Sequence, residues 1–510
     1  MMHFSKPIFI ALSVLSFLFL PYYSTSASNT ENISLSITAS DLDADSLVLV
    51  ELYNTTGGDN WTNNGGWLTH NIVQWFGVTL TDDGCNVKEL RLKISNGVGN
   101  NLIGTLPDLN LPKLERLYLG SNELSGSIPD FSNLPMLKIL SLTGNSLSGP
   151  VPNFSNLPLL EAINLNGTGL TGPVPDFSNL SNLIQLTLSD NELEGTIPDF
   201  FNLPNLERLL LYKNQLTGEI PDFSDLPKLR DMFLYENQLT GEILDFSDLP
   251  ELRAMYLYKN QLMGGIPDFS NLPNLRNLYL YENQLTGELP DFSNLPKLRQ
   301  LRLYDNNLIG AIPDFSNSPN MVYLYLQDNQ FDDIPNFSNL PNLIWLIAER
   351  NEIGGSIPNF SNLPKVTKIT LHSNNLTGSI PDFSNVPLLE DLRLYSNQLS
   401  GTIPDFTYLS NLEKLYLSSN QLTTPIPDFS NLPNLQLLSL NNNQLGGEIP
   451  SFSNLPNLSY FSIDENKLLF SDILPSWTYT STIGDCSSSN SCFILLQSII
   501  LFYLIPVSTR

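Results

Sequence analysis

The sequence predicts one elongated solenoid, an α/β repeat dominated by short parallel strands. Three observations carry this. First, Leu275, Leu278, Leu280, Asn283, Leu285, Gly287, Leu289 and Pro290 form a frame, L-x-x-L-x-L-x-x-N-x-L-x-G-x-L-P. Second, the frame recurs at 23-residue steps: Asn260 and Asn306 flank Asn283, Pro267 and Pro313 flank Pro290, and the asparagines run from Asn100 to Asn466 with Thr168 filling one gap. Third, a phenylalanine keeps the same register from Phe131 through Phe154, Phe177, Phe200 and Phe223 to Phe452. A period of 20–29 residues with this frame is that of leucine-rich repeats. About 17 turns are expected, wound as a right-handed horseshoe or superhelix. Its concave side should be a parallel β-sheet and its convex side a series of turns or 3₁₀ segments.

Each frame position has a physical task. The leucines of L-x-L point inward and the intervening residues outward, as in any strand. The asparagine sits where the chain turns in, and a buried amide survives there only by pairing with backbone groups of adjacent coils. Glycine relieves the bend and proline stops further strand pairing. The phenylalanines should stack as a buried convex spine, and Asp-Phe-Ser-Asn-Leu suits a short turn or 3₁₀ segment capped by its aspartate. Irregular coils stand out: an insertion at Lys93–Gly99, a shortened turn after Asn329, Leu244 in place of proline, Thr424 in place of glycine, and Thr168 between Gly167 and Gly169, expected to be a local weak point.

Composition narrows the function. The 510 residues carry a net charge of −27, which argues against nucleic acid or an anionic membrane surface as partner. Much of the acid is one ladder, Asp130, Asp176, Asp199, Asp222, Asp245, Asp268, Asp291, Asp314, Asp382, Asp405 and Asp428. It reads as a row of solvated caps or, alternatively, as a site where a divalent cation relieves repulsion. Three cysteines make no disulfide framework; Cys486 and Cys492 are close enough to pair in an oxidising compartment, and Cys85 has no evident mate. With His3, His70 and His372 alone, histidine chemistry has little to work with, and no cofactor is expected.

The ends differ from the array. Residues 1–28 read as a secretory signal, with Lys6, an apolar run from Pro7 to Leu20 and small residues around Ser24–Ser28, or else as an uncleaved anchor. A linker (29–40) precedes an N-terminal cap (41–86). There Asp45 or Ser46 should cap a helix bearing Leu47, Val50 and Tyr53 that ends at Gly57–Gly58. Trp61, Trp67, Trp75 and Phe76 follow, as a lid on the first coil or as the lining of a ligand pocket. The solenoid is assigned to 87–477 and a polar spacer to 478–491. The apolar tail (492–510) contains Phe493–Ile505, interrupted by Gln497 and Ser498 and short for a membrane span. It either serves as an anchoring or processing signal or packs on the last coil. Both apolar ends offer a route to membrane attachment.

The segment ELYNTTGGDNWTNNGGWL…WFGVTL resembles the N-terminal cap of secreted bacterial and microbial-eukaryote leucine-rich-repeat proteins. The repeats resemble the plant-type class of receptor-like proteins and receptor kinases, over about residues 41–470. Two departures matter: Cys85 stands without the cap's usual cysteine partner, and PDFSNLP is one residue shorter than its plant equivalent. The sequence also has no kinase glycine loop, H-R-D or D-F-G. The resemblance implies a microbial member with an extracellular or cell-surface location, rather than a plant immune receptor.

Candidate ligand contacts lie at outward strand positions. After L-x-L come Tyr212, Tyr235, Tyr258, Tyr281 and Tyr304; between the leucines, beginning one coil after Leu210, come Phe233, Tyr256, Tyr279, Arg302 and Tyr325; Tyr323 and Trp345 complete the twelve. At ~4.8 Å per strand the five-tyrosine column should be about 19 Å long. Lys213, Glu236, Lys259 and Glu282 alternate in sign beside it. Two readings stand: a surface that satisfies itself by stacking, or a platform for a protein, peptide or glycan at the cell surface or matrix. A structural or adhesive spacer is the alternative function. No nucleophile–histidine–acid set, P-loop or H-E-x-x-H is visible. Asp332 and Asp333 lie in a turn, and His372 reads as an ordinary exposed residue, so no enzyme is expected.

Overall fold

The computed structural model describes residues 39–69, 71–94 and 98–468. The expected signal segment, most of the linker, the coil beyond residue 468, the spacer, the apolar tail, His3, His70 and the Cys486–Cys492 pair lie outside them. Among the described residues no helix is long and apolar enough to cross a membrane.

The chain opens with helix α1 (Ala39–Thr55), followed by strand β1 (Val78–Leu80), which pairs antiparallel with β2 (Val87–Arg91). From β2 onward every coil adds one parallel strand, from Arg116–Tyr118 to Tyr460–Ser462, in one 18-stranded sheet. With β1 set aside, 17 parallel rungs remain, bounding 16 full coils. Each rung buries its inward pair, as Leu209 and Leu211 do at zero exposure. Full burial of each leucine contributes ~1.5–3 kcal/mol. No coil can close this core alone, so stability is shared between neighbours.

The ladder asparagines pair as the frame requires. Asn237 donates from Nδ2 to Leu234 O in its own coil and to Leu211 O in the one before, both at 3.0 Å, and its Oδ1 accepts from Leu216 N at 3.1 Å. Thr168 is better tied down than expected. Its hydroxyl lies 2.8 Å from both Leu165 O and Asn191 Oδ1 and donates to one or the other, its backbone N–H donates to Asn191 Oδ1 at 3.1 Å, and it is 1 % exposed.

The convex side departs from expectation in its local geometry. Among the described residues Phe452–Asn454 is the one convex repeat segment that is a 3₁₀ helix; the others are tandem turns, as where Leu226 N donates to Phe223 O and Leu229 N to Leu226 O. Every spine phenylalanine from Phe131 to Phe429 is buried with φ between 49° and 53°, the left-handed region. The strain at each is repeated, so the buried ring must outweigh it. The aspartate ladder caps these turns as predicted, Asp222 Oδ1 accepting from Ser224 N at 3.0 Å and Asp268 Oδ1 from Ser270 N at 2.9 Å.

A feature the frame did not announce is a second set of short strands just after the ladder asparagine, including Gln215–Gly218 and Gln284–Glu288. Glycine makes the close approach there possible: at Gly241 (φ +82°) an added Cβ would sit 2.7 Å from Glu219 Cγ. The shortened turn after Asn329 appears in this second set as a register shift that pairs Ala311 with Asp333.

Curvature follows from two spacings. Rings of the phenylalanine spine repeat at 6.2–6.4 Å per coil, whereas the tyrosine rings on the sheet side repeat at 4.2–4.4 Å. The sheet therefore lies on the inner curve.

The N-terminal region corrects one expectation. Asp45 and Ser46 lie inside α1, not at its start. The Asp45 carboxylate is buried and accepts from Val87 N at 2.7 Å, so it fixes β2 rather than capping a helix. The buried helix face is Leu49, Leu52 and Tyr53, while Leu47 is 70 % exposed. Trp61, Trp67 and Trp75 pack on one another with centroids 4.7 and 4.9 Å apart. Their indole N–H groups donate to Thr56 O, Phe76 O and Thr69 O. All three are 4–6 % exposed and fill the space between α1 and the first coil, which leaves no room for the alternative ligand pocket.

Candidate ligand-binding face

The outward strand positions form columns because parallel pairing is in register from coil to coil. Phe233 pairs with Tyr256, Tyr256 with Tyr279, Tyr279 with Arg302 and Arg302 with Tyr325. Strand sterics leave such side chains nowhere to go but into line.

The first column stacks throughout. Tyr212, Tyr235, Tyr258, Tyr281 and Tyr304 have ring centroids 4.2–4.4 Å apart and planes within 7–12° of parallel. The column is therefore ~17 Å long, slightly shorter than strand spacing predicts because the rings lean into the inner curve. Each tyrosine is half-buried by its neighbours. The ring faces are consumed by one another, and what remains exposed is a row of edges tipped with hydroxyls. Burial pushes the phenols of Tyr235, Tyr258, Tyr281 and Tyr304 up, that of Tyr281 to about 12. At neutral pH the row is thus a set of uncharged hydroxyl donors and acceptors.

The second column is broken by a cation. Phe233, Tyr256 and Tyr279 stack at 4.3 Å, after which the Arg302 guanidinium lies 4.5 Å from the Tyr279 ring and 4.9 Å from the Tyr325 ring. Arg302 Nε is buried without a hydrogen-bond partner. Beyond it Trp345, 37 % exposed, meets Tyr323 and Tyr325 edge-on at 5.2 and 6.2 Å. All twelve candidate residues therefore share one continuous surface, with Arg302 set inside it. Of the alternating charges beside the tyrosines, Lys259 and Glu236 pair at 3.4 Å. Burial raises the carboxyl of Glu282.

His372 is not exposed. It occupies the same column as the tyrosines three coils further on, is 5 % exposed and stacks on Tyr395 at 4.0 Å. Burial, with Arg350 and Arg393 nearby, depresses it to about 4. Its neighbour one coil on, invisible to local reading, accounts for the difference. Sequence reasoning also passed over a file of arginines one residue ahead of the strands, Arg230, Arg253, Arg276 and Arg299, although the 23-residue register displays it plainly.

A cavity of about 580 Å³ lies elsewhere, on the convex side where Phe201 and Leu244 break the repeat, rimmed by Asp199, Asp222 and Asp225.

Comparison with known proteins agrees with this architecture. The family described as Leucine Rich repeats (2 copies) matches residues 273–317, and that described as Leucine Rich Repeat matches 113–134, 182–203, 411–432 and 434–455. No curated protein matches the chain. Among solved structures, the chain is similar to the ectodomain of the plant membrane receptor kinase GASSHO1/SCHENGEN3 from Arabidopsis thaliana, in complex with CASPARIAN STRIP INTEGRITY FACTOR 2. That match has 31 % identity and a TM-score of 0.62, over 83 % of this chain and 62 % of the other. The Arabidopsis receptor kinase HAESA, in complex with the peptide hormone IDA and the co-receptor SERK1, matches at 28 % identity and TM-score 0.55, over 84 % and 86 % of the two chains. An LRR protein of Leptospira interrogans matches at 29 % identity and TM-score 0.56, over 68 % and 89 %. The chain is thus a solenoid of leucine-rich repeats, similar in structure to the ectodomains of plant receptor kinases.

Proposed function

We propose that this chain is a recognition module at the cell surface or outside the cell. It binds a protein, peptide or glycan along the concave face between Tyr212 and Trp345, and it performs no catalysis of its own. The observation that carries the reading is the pair of in-register columns: contiguous half-buried aromatic surface on a rigid sheet, with the half-buried Arg302, in no ion pair among the described residues, stacked within it. Exposed aromatic surface of this extent marks binding sites, and rings already locked by stacking lose little freedom when a ligand arrives. The similarity to receptor ectodomains, one of them solved with a peptide hormone, supports the same reading.

A stiff spacer is the second reading, favoured by the self-stacking of the columns and the Lys259–Glu236 pair. The two separate on one experiment. Tyr235, Tyr258 and Tyr281 are replaced together by serine, and wild type and variant are compared on a glycan array and on cell-surface extract. Saturable binding lost in the variant, with the far-ultraviolet spectrum unchanged, is the expected result. Binding that survives the triple replacement removes the columns as the site.

A further inference from the structure

We infer that the arginine file on the leading edge of the sheet is a rail for a linear acidic polysaccharide carrying one carboxylate per sugar, a polyuronate. This rests on the concave face being the binding surface and names the chemistry it takes. The file is built coil on coil: Arg253 N donates to Arg230 O, Arg276 N to Arg253 O and Arg299 N to Arg276 O, each at 2.8 Å. The four arginine side chains thereby leave the backbone one strand spacing apart, ~4.8 Å.

The rail departs from the charge pattern at the same position in earlier coils. There Lys88, Glu115, Lys138 and Glu161 alternate in sign, and Lys138 pairs with Glu115 at 3.1 Å. Alternation satisfies a surface; four like charges in sequence repel. Arg230 finds Glu207, and Arg253 comes within 3.9 Å of Glu251. Among the described residues Arg276, Arg299 and Arg302 have no ion pair. In a chain with 51 acidic and 24 basic residues, three arginines without an acidic partner in consecutive coils depart from the overall balance. Arg230 Nε and Arg302 Nε are, in addition, buried donors without partners.

Charge and polarity select the ligand. The rail offers guanidinium groups and the tyrosine row offers hydroxyls, both recurring along the coils at one strand spacing. An extended acidic peptide supplies carboxylates alone. A chain of uronate rings supplies a carboxylate and hydroxyls on every ring. Planar guanidinium forks suit carboxylates. The tyrosine column, whose faces are closed and whose edges bear hydroxyls, suits a polar sugar better than an apolar side chain.

The test uses the full chain, an octameric oligogalacturonate and its methyl ester, in calorimetric titrations at low and moderate salt. Expected are saturable binding of the acid, none of the ester, and an affinity that falls with salt. The Arg276→Gln/Arg299→Gln double variant should bind about tenfold more weakly. The Lys113→Gln/Lys467→Gln variant removes the same charge from exposed positions in coils outside the rail and should bind as wild type does. Failure of the acid to bind, equal binding of the ester, or equal weakening by the lysine variant overturns the rail. Octaglutamate binding more tightly than the sugar overturns the polysaccharide assignment in favour of an acidic peptide. Binding lost with the tyrosine triple variant but kept by the arginine variant overturns the rail and leaves the concave face standing.

Discussion

The coils with strands from Arg116–Tyr118 to Gln185–Thr187 and those from Arg208–Leu210 to Gln300–Arg302 have the same interior and different faces. Both bury leucines at the same frame positions, hold a ladder side chain and carry a buried phenylalanine. On the inner curve, the first set shows Thr143, Asn166 and Ser189 where the second shows tyrosines. Thr143 donates to Asn166 O at 2.9 Å and Ser189 to Asn166 Oδ1 at 2.6 Å, so that surface closes on itself with small polar groups. The second set fills the same positions with stacked rings 4.2–4.4 Å apart. The backbone accepts either without adjustment. Fold is therefore invested in the inward positions and recognition in the outward ones, and the two vary independently.

The largest test of that independence is in the spine. Phe177→Ala in the first set and Phe269→Ala in the second should each cost ~3–5 kcal/mol in denaturant unfolding. Costs differing by more than about half of that would show that the faces feed back on the core. Next comes the ladder. Asn237→Ala leaves Leu211 O, Leu234 O and Leu216 N without their amide and should cost ~2–4 kcal/mol. Thr168→Asn in the other set should be neutral or stabilise by ~1 kcal/mol, by restoring reach to the preceding coil. A loss there would mean that the threonine rung is a fitted alternative.

His372 gives a smaller, pH-dependent effect that sharpens the contrast from a third region. Its folded-state pKa of about 4 lies below the value of ~6.5 it regains on unfolding. The unfolded chain binds the proton more readily, so stability is lost as pH falls from about 6.5 towards 4 and is fully present above that window. After allowance for the open inner face the loss should be ~1–2 kcal/mol. It should vanish in His372→Gln and persist unchanged when the tyrosine columns alone are altered, as followed by melting temperature against pH. Smallest is the exposed pair: Lys259→Ala should shift stability by less than ~1 kcal/mol, and salt should erase the difference.

Most of this molecule was legible as a string. The 23-residue frame, the ladder and the spine are one-dimensional regularities, and a repeat that buries itself only against its neighbours turns period directly into shape. For the same reason all twelve candidate contact residues could be placed on one face from register alone, and the arginine rail could have been. The sequence by itself therefore determined the solenoid, its inward and outward positions and the course of the columns. Tertiary structure decided what depends on the next coil or on distant chain. The Asp45 carboxylate reaches Val87 N, 42 residues away. His372 is buried by Tyr395, and the tyrosine faces are shut by one another. The inner curve exists because rings on one side repeat at 4.2–4.4 Å and on the other at 6.2–6.4 Å. Period and polarity reside in each residue; exposure, protonation and curvature arise only where two coils meet.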